Sequence, residues 1–241
     1  MNHNITSYID GQKLQGYIRP VHIGPKLVFI DCGARQGENF MWDGVTPDSG
    51  IMSKNLQVCL SRPDIPFITN TMFGAEVHMF EPNTMWAKER HKIAQEVSKS
   101  ALAVYVHDCA IWTKNEIKNF YVGIDEFGDL GSSLCSDKNE KLDVENPLPV
   151  HCIDFAEFII NNFKISDNVI VKIDVEGAEY DILPHLVNKQ ECMQRIDSLF
   201  VEWHPNFFPQ KHGQLFSPLV QVFGHYAVQN GLHYAPWHPA W

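Results

Sequence analysis

Three stretches of this sequence set ionisable side chains where chemistry needs them. The first is Asp31-Cys32-Gly33-Ala34-Arg35-Gln36-Gly37, a D-x-G-x-x-x-G turn directly after an apolar run. Glycines at such a turn let the backbone bend sharply and let a ligand approach main-chain N–H groups. The pattern departs from the dinucleotide G-x-G-x-x-G: the first position is Asp, and the later spacing is three rather than two. A carboxylate there repels a pyrophosphate. It can meet an ammonium group instead, directly or through water. That favours a cationic ligand bearing an amino acid, such as S-adenosylmethionine. The plain alternative is a tight strand-to-helix turn.

Two further acids fall at the ends of apolar runs. Glu81, in Phe80-Glu81-Pro82-Asn83, can accept both hydroxyls of a ribose, or can simply cap the helix that follows. It stands fifty residues beyond Asp31, where about 20 is usual, so an insertion must loop out between them. Asp108 can accept from an adenine amino group, or can belong to a surface turn.

The second signature is Lys172-Ile173-Asp174-Val175-Glu176-Gly177-Ala178-Glu179. Side chains alternate along a strand, so Lys172 and Asp174 share a face. Asp174 stands at the carboxyl end, where open α/β sheets place their ligands. Glu176 and Glu179 lie three apart at a helix start, where negative charge is favoured. The third stretch is Val201-Glu202-Trp203-His204, in which Glu202 and His204 share a face. If the two strands are neighbours, Asp174, Glu202 and His204 converge. Such a cluster can move a proton through His204. It can hold a divalent cation, or it can be a satisfied hydrogen-bond network.

These residues need a sheet to position them. Leu27–Ile30, Val77–Phe80, Leu102–Val106, Val169–Ile173 and Leu199–Trp203 are continuous apolar runs, as expected of strands buried on both faces. Helix-like stretches lie between them: Thr84–Lys99, Phe155–Phe163 after an Asp154 cap, and Ala178–Val187, which Pro184 kinks or bounds. Gln214–Gln229 predicts a late helix with Pro218 in its first turn. Phe120–Val122 and Val150–Ile153 predict short extra strands, with a polar excursion from Gly123 to Pro149 between them. The region from Trp42 to Pro66 is an insertion with one short helix, Met52–Leu60. Alternating strands and helices predict a doubly wound α/β domain.

Composition narrows the setting. The chain has 241 residues, long enough for one large domain, and no internal boundary is evident. Its net charge is −10 and no window holds a dense Lys/Arg cluster, so nucleic acid is not an expected partner. The start, Met1 to Pro20, lacks a signal-peptide pattern, and no apolar run reaches the roughly 18 residues of a membrane span. The six cysteines form no C-x-x-C pair, which predicts reduced thiols in a cytoplasmic protein.

Together the motifs resemble the FkbM-type S-adenosylmethionine-dependent methyltransferases. The matching pieces run in order: Phe29-Ile30-Asp31-Cys32-Gly33 with Gly37, Phe80-Glu81-Pro82, Gly131-Ser132-Ser133-Leu134, Val150 to Phe158, Val171 to Glu179, and Val201-Glu202-x-His204. The Lys172 to Glu179 segment is the most specific of them. The resemblance implies a Rossmann-like methyltransferase fold. Its sheet would be mainly parallel and seven-stranded, flanked by helices, with an antiparallel last strand. Residues 1–241 would form a single domain with an N-terminal extension (1–25), an enlarged insertion (38–75) and a C-terminal extension (205–241). Asp31, Gly33 and Gly37 would line the amino-acid end of the cofactor, Glu81 its ribose and Asp108 its adenine, with Cys109 also at the cofactor.

The implied reaction is O-methylation of a sugar, glycan or glycosylated small molecule. A sugar hydroxyl is a poor acid, so a base must act as the bond forms. His204 is the first candidate and Asp174 the second, with Glu202 orienting the imidazole and Lys172 stabilising negative charge. A divalent metal held by Asp174, Glu202 and His204 is the competing route. Two rival functions remain: a nicotinamide-dependent oxidoreductase on a related fold, and a non-catalytic binding protein.

Overall fold

The structure, a computed structural model, describes residues 5–9, 12–13, 25–37, 75–98, 103–124, 129–138 and 141–236. The expected apolar runs are strands: β3 (Leu27–Cys32), β4 (Glu76–Phe80), β5 (Ala103–His107), β9 (Asn168–Ile173) and β10 (Ser198–Val201). Two short N-terminal strands, β1 (Ile5–Ile9) and β2 (Gln12–Lys13), precede them, and β11 (His233–Pro236) follows. They form one sheet in the order β11-β10-β9-β3-β4-β5-β1-β2. All pairings are parallel except β1 with β2.

Two features differ from the expected sheet. Among the described residues it has eight strands rather than seven. Its last strand, β11, also runs parallel to β10, with Ser198 opposite His233 and Val201 opposite Pro236. A single helix, α5 (Pro209–Asn230), carries the chain back between β10 and β11. One return traverse makes the next strand start at the same end as the last, so the pair is parallel.

Alternation along the strands divides the core in two. Val28, Ile30 and Cys32 face one apolar cluster with Val169, Val171 and Leu199. Phe29 faces another with Val77, Val104, Ile170 and Phe200. Burial on both faces is why these runs are apolar throughout. Helix α1 (Ala87–Val97) enters through a 3-10 turn, Thr84–Trp86, where Asn83 Oδ1 accepts from Met85 N at 3.0 Å. Helix α2 (Phe155–Asn162) starts as expected, with Asp154 accepting from Glu157 N at 3.0 Å.

Helix α3 (Glu179–Asn188) runs through Pro184 instead of ending there, and α4 (Gln190–Met193) follows. Buried Ile182, Leu183 and Leu186 hold α3 on the core despite the lost backbone donor. Helix α5 begins five residues before the expected start, so Pro218 lies in its interior. Pro209 takes the first turn, where a missing N–H costs nothing.

A second sheet sets β8 (Leu148–Asp154), which contains the expected Val150–Ile153, between β6 (Ala110–Trp112) and β7 (Glu116–Phe120); β7 ends at Phe120, where the other short strand was expected to begin, and β6 was not expected. The excursion after β7 folds back through bridges of Tyr121 to Ser133 and Gly123 to Leu142. Cys32, Cys109, Cys135, Cys152 and Cys192 are buried and free. No helix of the described residues is long and apolar enough to cross a membrane. Cys59, the Met52–Leu60 helix, residues 38–74 of the insertion and residues 237–241 lie outside the described residues.

Candidate active site

From β3 the chain moves to β4 and β5 on one side, and β9 and β10 lie on the other. The carboxyl ends of β3 and β9 therefore flank a topological switch point, the usual ligand crevice of an open α/β sheet. A cavity of about 290 Å³ opens there. Gly33 sits at its floor with φ +85°. A β-carbon on Gly33 would stand 1.7 Å from the Asp174 carbonyl oxygen, so the two strand ends can meet only if this residue is glycine. The Gly33 and Ala34 amides both donate to Phe80 O at 3.0 Å, tying the turn to β4.

Glu81 lines the cavity just beyond β4. Its Oε2 accepts from Arg35 N at 3.0 Å and its Oε1 from Asn83 N at 2.7 Å. Burial raises its pKa, and Arg90 and the backbone donors only partly offset that. Cys109 also lines the cavity, its thiol pushed up to about 12 by burial, with Cys152 adding to the shift. The other residues expected at a cofactor stand behind this wall. Asp31 is fully buried, one residue short of the end of β3, and meets Lys172 Nζ at 3.2 Å. Gly37 packs between Ile93 and Met79. Asp108 faces the buried Arg90 guanidinium, and His91 at 3.7 Å. Burial raises the pKa of Asp108, but His91 and Arg90 outweigh it and the net shift is downward.

On the far side the expected acids do converge. Lys172, Asp174 and Glu202 line the cavity, and His204 stands 3.7 Å from Asp174. Asp174 and Glu202 follow directly on β9 and β10. Their amides continue the ladder, donating to Cys32 O at 3.0 Å and Ile173 O at 2.9 Å. Lys172 Nζ lies 3.0 Å from Asp174 Oδ2 and donates to Gly33 O at 3.2 Å. Burial disfavours its charge, but Asp174 and Asp31 outweigh that and hold it as an ammonium. Burial and the Asp174 charge push Glu202 up to about 8.

The His204 ring is held by other acids than expected. Nδ1 meets Glu179 Oε1 at 3.0 Å, while Nε2 faces Glu176 at 3.4 Å and Asp174 at 3.7 Å. Glu179, not Glu202, therefore orients the imidazole. Burial lowers the His204 pKa, yet Glu179 and Glu176 raise it well above the ordinary value. One ligand atom each from Asp174, Glu202 and His204 lie within 4.8 Å of one another, a spacing that suits a divalent cation.

A sequence profile of the methyltransferase FkbM domain matches residues 31–225. The chain belongs to the FkbM methyltransferase family. Methyltransferase FkbM from Methylobacillus flagellatus KT, a crystal structure at 2.20 Å resolution, is similar at 13% identity with a TM-score of 0.41. The match covers 84% of this chain and 39% of that one, so this chain spans about two fifths of that protein's length. No curated protein matches it.

Two side chains of the FkbM domain, Glu179 and Lys138, make contacts at the site that the sequence does not reveal. Glu179 reads locally as a helix-start acid, and its Oε2 does accept from Gly177 N at 2.8 Å. Its other oxygen serves His204, a contact that spacing alone does not reveal. Lys138 lies in the polar excursion, yet its Nζ is buried against Gly131 O at 2.7 Å and Glu176 Oε2 at 2.9 Å. Ser133 Oγ donates to Glu176 O at 2.6 Å. Together they hold Glu176 at φ +53°, a left-handed backbone that costs a non-glycine residue about 1–3 kcal/mol.

Proposed function

We propose that this FkbM domain transfers the methyl group of S-adenosylmethionine to a hydroxyl oxygen of a sugar, a glycan or a glycosylated small molecule. The convergence of Asp174, Glu202 and His204 beside a cavity that also holds Glu81 carries this reading. The donor set fits the cofactor: Glu81, Asp129, Asp174, Glu176 and Glu202 line the cavity, an environment that favours a cation. Glu81 would accept the ribose hydroxyls, since an ionised carboxylate has about four acceptor sites and two are engaged. Gly33 lets the backbone approach, and Cys109 lines the same cavity. When bound, the cofactor supplies a sulfonium-activated methyl group.

The residues then have two tasks. They must place the acceptor in line and must receive its proton. The Asp174, Glu202 and His204 cluster receives it. Both ring nitrogens of His204 face carboxylates, so the imidazole begins protonated. Glu202 lines the cavity and is the carboxyl placed to accept the proton; raised to about 8, it must first lose its own proton, so its base form gains population as pH rises toward that value, with the imidazolium and Lys172 offsetting negative charge. In the metal-assisted version the same three side chains would be ligands. Glu179 would then fix the His204 tautomer from behind, as outer-shell carboxylates do.

A donor-label assay against mono- and oligosaccharides tests the reading. Transfer of label to a sugar is expected, and its absence across hydroxyl acceptors would remove the acceptor class. Glu202→Gln and His204→Ala should each lower kcat by about 10²–10⁴. Wild-type turnover by Glu202→Gln would show that Glu202 is not the base. Full turnover after chelation would remove the metal version.

A further inference from the structure

A second cavity, of about 530 Å³, opens between helix α2 and the second sheet. Among the described residues only Cys109 lines both it and the first cavity. We infer that this second cavity binds a neutral saccharide. Asp154, Glu157, Phe158, Asn161 and Asn162 reach it from α2 and its cap, on the one helix face that residues three and four apart share. Asn115 reaches it from the turn into β7, and Ile117 from β7 itself.

The amides carry the assignment. Asn115 Oδ1 accepts from Asp154 N at 2.9 Å, which fixes that amide and leaves its Nδ2 to donate. Asn162 Nδ2 donates to Phe158 O at 2.8 Å, which leaves its oxygen to accept. The Asn161 amide can do both, and the exposed Glu157 carboxylate adds acceptors. A hydroxyl is donor and acceptor at once, so a ring of hydroxyls suits a lining in which the two alternate. Ile117, 63% exposed, and Phe158 lie among them to meet the C–H faces of a sugar. No lysine or arginine is among the described lining residues, so an anion such as phosphate finds no counter-charge there. Two of the three lining acids are engaged with cationic or imidazole partners, Glu116 with Lys114 at 3.0 Å and Asp154 with His185 at 2.9 Å, which disfavours a polyamine.

The side-chain NH₂ signals of Asn115, Asn161 and Asn162, followed by heteronuclear NMR, test this. Maltose, cellobiose and lactose are titrated into the full chain, beside spermidine and inorganic phosphate. At least one disaccharide should shift these signals saturably. Asn161→Ala and Glu157→Gln, both at exposed positions of α2, should each weaken that binding about threefold to tenfold, as the loss of one hydrogen bond does. No saturable shift with any of the three sugars would overturn the inference. So would shifts from spermidine or phosphate alone, or sugar binding that both variants leave unchanged. Binding there needs neither cofactor nor methyl transfer, so its failure would leave the reading of the first cavity standing.

Discussion

Glu179 shows how one side chain can carry two duties that local sequence displays as one. Its two oxygens serve the Gly177 amide and the His204 ring, and the residue is fully buried. Glu179→Gln keeps the shape and removes the charge. The His204 pKa should then fall, because the nearest anion raising it is gone. Histidine ring signals followed by NMR through a pH titration would show it, and an unmoved His204 midpoint would refute the coupling. Loss of a carboxylate that orients a histidine costs about 10–100-fold in metal sites, and a kcat loss of about that size is expected here. Asp174, Glu202 and His204 were legible from their places at strand ends, because alternation and topology bring such ends together. The contacts of Glu179 and Lys138 were not, because their partners are set by tertiary packing 25 and 38 residues away.

At the scale of elements, two left-handed glycines should respond very differently to alanine. Gly231 caps α5 at φ +75° with nothing within 4 Å of an added β-carbon. Its cost is conformational alone, about 1–2 kcal/mol. Gly33, at a similar φ, would drive its β-carbon into the Asp174 carbonyl. The end of β3 or β9 would have to move, so urea unfolding should show a much larger loss for Gly33→Ala than for Gly231→Ala. Equal losses would mean that the two strand ends are not held together as described. The central strands were readable because both faces of each are buried. The ends of α5 were harder, since Pro218 fits a first turn locally and only packing of Leu219 and Phe223 carries the helix through it. The direction of β11 depends on how many times the chain crosses between strands, which no local pattern encodes.

At the scale of the molecule, one buried polar chain links the sheet to acid stability. Lys26 Nζ meets Glu76 at 2.8 Å, Glu76 meets His78 at 3.0 Å, and His78 meets His107 at 2.9 Å. Burial alone would raise the Glu76 pKa, but His78 and Lys26 bring it down to about 2. A depressed carboxyl stabilises the fold fully above its ordinary value of 4.5 and loses that contribution as pH falls through about 2. The amount is on the order of 3 kcal/mol. Unfolding of wild type and Glu76→Gln should therefore differ by about that much at pH 7, and the gap should close toward pH 2. A gap independent of pH would refute it. The buried cysteines extend the same physics to time. Burial pushes Cys135 and Cys152 up to about 11, Cys109 and Cys192 up to about 12, and Cys32 higher than its ordinary value. Each is a thiol rather than a thiolate at neutral pH, and each is buried, with Cys109 at the cavity wall. Their alkylation rates are therefore set by how often the surrounding region opens. Among the described residues these are five native clocks, placed in the central strand, the cavity wall, the excursion, the second sheet and the short helix after α3.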